Sequence, residues 1–299
     1  MVLLDFSGTM YADIAVNLKQ NCGTKTDIDY LRHLLLNSLR SYNKQFKGQY
    51  GEMVICMDAV GGNWRKQIFP HYKAARKKAR IDSGIDWKAV FEDVNTISQE
   101  IEKYLPYKVI RVDELEADDV IAILAKNAEK ICETDITGDM KHPVLIVSND
   151  KDFAQLHSIP YVKQYKPRTG NVFKDKNPEF SLTDLILHGD KSDGIPNIRS
   201  EDDTFVTDGK RQSAVTSVFV RKFLTEGYDG LTDFEKSRYD LNKKLISFDE
   251  IPCKYTESVL EAYRKPKSFN KMEMFQYFCS KGLNQVLDKI NDFWERNNE

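Results

Sequence analysis

The sequence predicts an α/β fold, with a central, mostly parallel sheet flanked by helices and a helical part after it. Three observations carry this. Apolar runs at residues 2–4, 53–57, 109–112 and 144–147 read as buried strands. Between them, apolar residues recur every three to four positions, so strand and helix alternate as in crossovers onto a parallel sheet. Beyond residue 180 the strand signal fades and helical periodicity takes over. The expected division is therefore an α/β domain at 1–180 and a helical domain at 181–299.

The elements follow in order. After the first strand, Ile28, Leu31, Leu35, Leu39, Tyr42 and Phe46 lie on one helix face, and Gly48 and Gly51 close that helix. Asp86 reads as the N-cap of a helix whose apolar side is Trp87, Phe91, Val94, Ile101 and Leu105, ended by Pro106. A third helix starts near Asp118 and carries Val120, Ile121, Leu124 and Ala128. Residues 133–142 are polar and read as a loop, and a helical turn follows the strand at 144–147. Segments 181–188, 212–226, 231–246, 255–264 and 270–296 read as helices.

Bulk composition excludes several classes. At 299 residues, 41% hydrophobic and 30% charged, the chain has the makeup of a folded globular protein. Five scattered cysteines without a C-x-x-C pair argue against a disulfide framework and a zinc site, and fit a reducing cytosol. The first strand begins at once, without a signal-peptide pattern, and no apolar run reaches the roughly 18 residues of a membrane span. A soluble cytoplasmic protein is expected. The net charge of −2 hides strong segregation of charge.

Each predicted strand runs into acidic residues: Asp5, Asp58, Glu116 with Asp118, and Asp150 with Asp152. In a parallel sheet the ligand crevice lies outside the carboxyl ends of the strands, so these acids should gather there. One such aspartate is ordinarily a turn or N-cap residue. Six on four strand ends point to cations, because crowded carboxylates otherwise raise one another's pKa. Spacing i, i+2 would turn both members of each pair to one side of an extended chain. Oxygen ligands without a Cys/His cluster fit Mg²⁺ or Mn²⁺, and paired divalent ions serve phosphodiester chemistry. Asp119 reads as solvated or capping. The five histidines show no pairing, and His71 reads as a surface residue.

Segment 61–85 is an excursion rich in base. It carries Arg65, Lys66, Lys73, Arg76, Lys77, Lys78 and Arg80, interleaved with Trp64, Phe69, His71 and Tyr72. A solvated helix face is the ordinary fate of such a run; next to a candidate ligand strand it suits phosphates and stacked bases. A second acidic knot, residues 189–196, is a Gly- and Pro-bounded turn. Its backbone and the side chains of Lys191 and Ser192, beside Gly194, could hold a phosphate.

Together these motifs resemble the structure-specific 5′-nucleases, a family that includes flap endonucleases, the 5′-nuclease domain of bacterial DNA polymerase I and phage enzymes. The motifs are the D-F-S start, Trp64 through Arg76, E-A-D-D at 116–119, S-N-D-K-D-F at 148–153 and G-D-K-S-D-G-I-P at 189–196. The likeness runs over nearly the whole chain and leans to the phage ribonuclease H branch. It implies a PIN-like nuclease fold and two Mg²⁺ sites, with Mn²⁺ able to substitute. Asp5, Asp58, Glu116 and Asp118 would form one; Asp150, Asp152 and Asp190, with Asp193, the other. It implies that 61–85 is an arch over a 5′ single strand, with Lys73 and Arg76 stabilising the transferring phosphate and Tyr72 stacking on the terminal base. Residues 186 to about 222 would be a helix–three-turn–helix that grips duplex. There the usual glycines of the second turn are missing, and an acidic insertion, Glu201-Asp202-Asp203, precedes Lys210 and Arg211, the remaining phosphate contacts.

The implied activity is metal-dependent 5′→3′ exonuclease and flap endonuclease action, removing RNA primers and 5′ flaps during phage replication. Substrates would be branched or 5′-ended DNA and RNA–DNA hybrid. A monomer is expected, with a phage single-stranded-DNA-binding protein and a replication clamp as partners, through C-terminal helices that include Trp294; core packing serves Trp294 equally well. Two rivals remain. Residues 5–9 resemble the D-x-D-G-T loop of haloacid-dehalogenase-like phosphatases, although position 7 is Ser. A non-catalytic branched-DNA-binding module would keep the fold without turnover.

Overall fold

A computed structural model of the chain describes residues 1–20, 27–134 and 141–295. Strands β1 (Val2–Asp5), β2 (Met53–Cys56), β3 (Lys108–Ile110), β4 (Val144–Val147), β5 (Val162–Lys166) and β6 (Asn171–Phe173) form one sheet of order β3-β2-β1-β4-β5-β6. Only the β5–β6 pairing is antiparallel. Val2 lies opposite Met53 on one side and Leu145 on the other, so β1 is central. The chain builds outward to β3 and then returns to β4 on the other flank. The crevice between β1 and β4 is therefore a switch point, where ligands of open α/β sheets sit.

The helices of the first part are α1 (Phe6–Gln20), α2 (Ile28–Tyr50), α3 (Trp64–Ile68), α4 (Ala75–Asp82), α5 (Trp87–Tyr104), α6 (Ala117–Lys126) and α7 (Ala128–Ile131). Those that follow are α8 (Pro178–His188), α9 (Ser217–Glu226), α10 (Asp233–Ile246), α11 (Lys254–Arg264), α12 (Lys271–Ser280) and α13 (Asn284–Leu287). Alternation along β1 divides the core. Val2 and Leu4 face α1, α2 and α5, while Leu3 faces α6. The later helices complete both layers: Met274, Phe278 and Phe293 join the first, and Tyr255, Val259 and Leu260 of α11 join the second. Trp294 packs on the first layer beside Phe269. Among the described residues no helix is long and apolar enough to cross a membrane.

Several expectations need correction. α1 was not foreseen: it starts directly from the strand-end Asp5, whose carboxylate caps it by accepting from the Gly8 N–H, and Phe6, Met10 and Ile14 make its buried face four residues apart. β5 and β6 were hidden by polar composition, since Gln164 is fully buried and pairs with backbone carbonyls. The helix expected to continue to Ala128 breaks at Asn127, whose amide donates to the Ile123 carbonyl at 2.9 Å. Segment 212–226 becomes helical only from Ser217, with the Thr216 hydroxyl accepting from the Phe219 N–H. The single helix expected over 270–296 divides into α12, α13 and a 3₁₀ turn at Ile290–Phe293, because Gly282 turns the chain at φ +63°. Within the loop expected at 133–142, residues 135–140 lie outside the described set, as does residue 296.

Candidate active site

Five of the six strand-end acids line one cleft, and Asp152 is not among its lining residues. The cleft, of about 700 Å³, is lined by Asp5, Asp58, Glu116, Asp118 and Asp150, with Lys73 and Arg76 across from them. Asp5 is held by the Gly8 N–H and the Ser148 hydroxyl, both at 2.8 Å. A Cβ at Gly8 would lie 2.2 Å from an Asp5 carboxylate oxygen, so only glycine allows that carboxylate to fold back over the first turn of α1. Asp58 accepts from the Ala117 N–H at 2.8 Å, at the start of α6. The extended i, i+2 geometry expected for Glu116 and Asp118 is not what joins them. Glu116 is the N-cap of α6 and Asp118 lies in its first turn.

The carboxylates divide into two electrostatic groups. Among the described residues, Asp5, Asp58, Asp118, Asp150 and Asp152 have no Lys or Arg at ion-pair distance. Burial pushes Asp5 up to about 6, with Asp58 and Asp150 adding to the shift. Burial, then Asp119 and Glu116, raise Asp118 well above the carboxylate range; burial, then Asp150 and Asp190, do the same for Asp152. Asp152 Oδ1 is also buried without a hydrogen-bond partner. An acceptor-only, cation-poor set of this kind fits divalent metal. Ligand atoms of Glu116, Asp118 and Asp119 lie within 4.8 Å of one another. The other acids are already paired. Lys73 Nζ is 2.5 Å from Glu116 and 3.5 Å from Asp193, Arg76 is 2.6 Å from Asp193, and Lys151 is 3.0 Å from Asp190. Burial alone would raise Glu116, but Lys73 and Arg65 pull it down to about 2.

The basic segment is built from α3, a turn and α4, and its aromatic residues point inward. Trp64, Phe69 and Tyr72 are 2–3% exposed. The stacking role expected for Tyr72 is corrected: its ring packs with Phe69, Ile186, Ile195 and Leu245, and its phenol lies 2.7 Å from Glu116 and 2.9 Å from Asp193. Arg65, expected on nucleic acid, is 2% exposed. It grips Asp119 through two bonds of 2.7 and 2.9 Å and donates to the Leu245 carbonyl at 2.8 Å. Asp119 caps rather than meets solvent: it is fully buried and accepts from the Glu116 N–H and the Trp64 indole. Lys66, Arg76 and Arg80 are exposed. The side chains of Lys77 and Lys78 lie outside the described set.

The turn after α8 docks on this segment instead of standing free. The Lys73 N–H donates to the Asp193 carbonyl at 2.7 Å, with Lys73 at φ +57°. Gly194, at φ +74°, is buried so close to the His71 carbonyl that a Cβ would sit 3.0 Å from it. Gly194 is thus covered, and its N–H is bonded to Lys191, which corrects its expected phosphate contact. The Ser192 N–H and hydroxyl both turn inward to Asp190, at 2.7 and 2.6 Å. Lys191 and Arg211 remain exposed. Lys210 is held between Glu201 and Asp203 of the acidic insertion.

Sequence reasoning missed the residues that position these acids. The Ser148 hydroxyl bridges Asp5 and the Asp150 N–H, and Gln164 donates to the carbonyls of Ser148 and Asp150. The adjacency of Ser148 to the acidic run was a usable signal; for Gln164, on an unrecognised strand, there was none.

Comparison with known proteins agrees with this geometry. A family described as 5′-3′ exonuclease, N-terminal resolvase-like domain, matches residues 1–180, and one described as T4 RNase H, C terminal, matches residues 176–293. The chain is 33% identical to ribonuclease H of Enterobacteria phage T4, over 97% of this chain and 95% of that protein. It is 30% identical to the exonuclease of Escherichia phage T7 over 58% of this chain and 52% of that protein. Bacteriophage T5 flap endonuclease, in a pseudo-enzyme-product complex with DNA and metal ions, shares the fold at TM-score 0.62 and 15% identity, covering 88% of this chain and 99% of that one. T5 5′-exonuclease with bound zinc does so at TM-score 0.54 and 14% identity, over 95% and 98%. A parallel sheet whose strand ends pool cation-poor acids beneath a basic segment, joined to a matching C-terminal part, makes this chain a member of the 5′–3′ exonuclease family of phage replication nucleases, on its ribonuclease H branch.

Proposed function

We propose that this chain is a metal-dependent 5′→3′ exonuclease and flap endonuclease that removes RNA primers and 5′ flaps from DNA. The observation that carries the reading is a single cleft in which acids without basic partners face Lys73 and Arg76. Two Mg²⁺ ions, replaceable by Mn²⁺, are assigned to Asp5, Asp58, Glu116 and Asp118 and to Asp150, Asp152, Asp190 and Asp193. Bound there, such ions would supply a water acidic enough to attack phosphorus near neutral pH and would neutralise the departing oxygen.

The chain's own groups do the rest. Lys73 and Arg76, both held positive by Asp193 and Glu116 against the effect of burial, offer charge where the phosphate becomes more negative. Their present pairing with Glu116 and Asp193 must loosen when phosphate arrives, so the segment at 61–85 acts as a gate as well as an arch. Exposed Lys66, Arg80, Lys191 and Arg211 meet backbone phosphates, which carry position and not sequence. The two functional units are 1–180 for chemistry and 181–299 for duplex. A monomer in the host cytoplasm, working with a single-stranded-DNA-binding protein and a clamp, completes the proposal.

The test is a 5′-labelled flap and an RNA–DNA hybrid incubated with Mg²⁺ or EDTA. Short 5′ products are expected with metal only, and Asp150→Asn should abolish them while retaining DNA binding. Cleavage by Asp150→Asn at the wild-type rate, or release of inorganic phosphate from a small ester in place of flap cutting, would overturn the reading.

A further inference from the structure

One buried hydroxyl lies between the two carboxylate sets. Ser148 follows β4 directly and is 1% exposed. Its Oγ donates to Asp5 Oδ2 at 2.8 Å and accepts the Asp150 N–H at 3.0 Å. A hydroxyl has one proton, so with that proton on Asp5 the group meets Asp150 as an acceptor, and both bonds stand together. The turn that carries Asp150 and Asp152 is held at further points. The Asp152 N–H donates to Asp150 Oδ1 at 3.0 Å, the Arg168 N–H to Asn149 Oδ1 at 2.9 Å, and the Ser148 N–H to the Tyr165 carbonyl at 3.1 Å. Gln164 of β5 grips the same turn. Its amide nitrogen donates to the Ser148 carbonyl at 2.8 Å and to the Asp150 carbonyl at 2.6 Å, while its Oε1 is buried without a partner. Carbonyls only accept, so the amide has no other orientation.

A buried acceptor without a donor costs stability, and an apolar residue at position 164 would avoid that cost. The fold keeps the amide where it fixes both carbonyls of the acidic turn. We propose that Ser148 is a positioning residue shared by both metal ions, with Gln164 as its brace. The proposal rests on the two-metal reading above. Hydrogen bonds behind metal ligands set their orientation, and losing one weakens the ion about 10- to 100-fold. Such a bond ordinarily serves one ion. Here a single hydroxyl orients a ligand in each set, the Asp5 carboxylate directly and Asp150 through its backbone. Tyr72 and Lys73 also touch both sets, through Glu116 and Asp193, but they belong to the segment that must loosen for phosphate. The Ser148 link joins the ends of adjacent strands, where Leu4 stands opposite Val147, so it persists when the arch moves.

Mn²⁺ binding without DNA, measured by calorimetry in two backgrounds, tests this. Asp58→Asn breaks the Asp5 set and leaves the Asp150 set, and Asp190→Asn does the reverse. Ser148→Ala should weaken the remaining ion about 10- to 100-fold in both backgrounds. Gln164→Met keeps the hydroxyl and removes both amide donors; it should weaken the Asp150-set ion about tenfold and the Asp5-set ion less. A Ser148→Ala loss confined to one background, or absent from both, overturns the shared role. So does a Ser148→Ala protein that melts lower in EDTA yet binds both ions as tightly as its parents, because it has lost only structure. If neither variant folds, hydrogen exchange at the Asp150 N–H in Asp190→Asn decides. Mg²⁺ on the Asp5 set should slow that exchange through Ser148, and exchange unmoved by Mg²⁺ refutes the link. Wild type that binds no ion overturns the two-metal reading, and the shared role with it.

Discussion

Replacing Arg65 with Met separates an architectural arginine from a DNA-binding one. Arg65 is 2% exposed and Asp119 fully buried, and two bonds of 2.7 and 2.9 Å join them. Burial disfavours the charged form of Arg65, but Asp119 and Asp118 beside it more than offset this and hold the proton firmly on. Removing the cation leaves a buried charge uncompensated, which costs about 3–5 kcal/mol. The Leu245 carbonyl also loses its donor. Against a total stability of roughly 5–15 kcal/mol this is a large fraction. At about 2–4 °C per kcal/mol, Tm should fall by roughly 6–20 °C. In Arg65→Met/Asp119→Leu no charge is stranded, so the double variant should be at least about 2 kcal/mol more stable than the summed single losses imply. Recovery stays incomplete, because the Trp64 indole and the Glu116 N–H lose their acceptor. Urea denaturation of wild type, both single variants and the double measures the cycle. Additive losses within about 0.5 kcal/mol, or an Arg65→Met cost below about 1 kcal/mol, would refute the assignment.

Other expectations concern metal, acid, the insertion and the docked turn. Mg²⁺ at about one hundred times its dissociation constant should stabilise the protein by about 2.7 kcal/mol per site, and a melting temperature unmoved by Mg²⁺ or Mn²⁺ speaks against the sites. His157 accepts the Asp175 N–H at Nδ1, while its Nε2 is buried without a partner, and burial holds its pKa down to about 4. Its folded pKa lies below the ordinary value of about 6.5, so its contribution is full above that pH and is lost progressively toward pH 4. Equal pH slopes for wild type and His157→Gln in urea denaturation across that window would exclude the effect. Neutralising the insertion with Glu201→Gln/Asp203→Asn should free Lys210 and steepen the salt dependence of duplex binding by about one phosphate contact, a log–log slope change near 0.9. An unchanged slope would show that Lys210 does not reach phosphate. Gly194→Ala meets both the left-handed backbone and the His71 carbonyl, and should cost about 1–2 kcal/mol or more. A neutral Gly194→Ala in chemical denaturation would mean that the turn is not docked as described.

Much of this protein could be read along the chain. Strands β1 to β4 and helices α2 and α5 are repeating apolar patterns closed by Gly, Pro or Asp, and such local signals survive in sequence. Acids at four strand ends imply a common site because parallel strands deliver their carboxyl ends to one edge. What the linear pattern could not decide was which polar groups satisfy one another. Arg65 and Lys73 are equally basic letters in one segment. The first is spent on Asp119 inside the core and the second faces the cleft, because α3 packs Arg65 against α6 while a left-handed turn presents Lys73. Gly194 and Ser192 look like free phosphate donors until the turn is seen folded onto the basic segment. Ion pairing and desolvation act through space over a few ångströms, between residues as far apart as Tyr72 and Asp193. Periodicity and spacing determine the sheet and the place of its acids. Tertiary packing decides which charges pair, as Lys73 does with Glu116 and Arg76 with Asp193, and which acids, such as Asp5, Asp58 and Asp118, stand without a basic partner among the described residues.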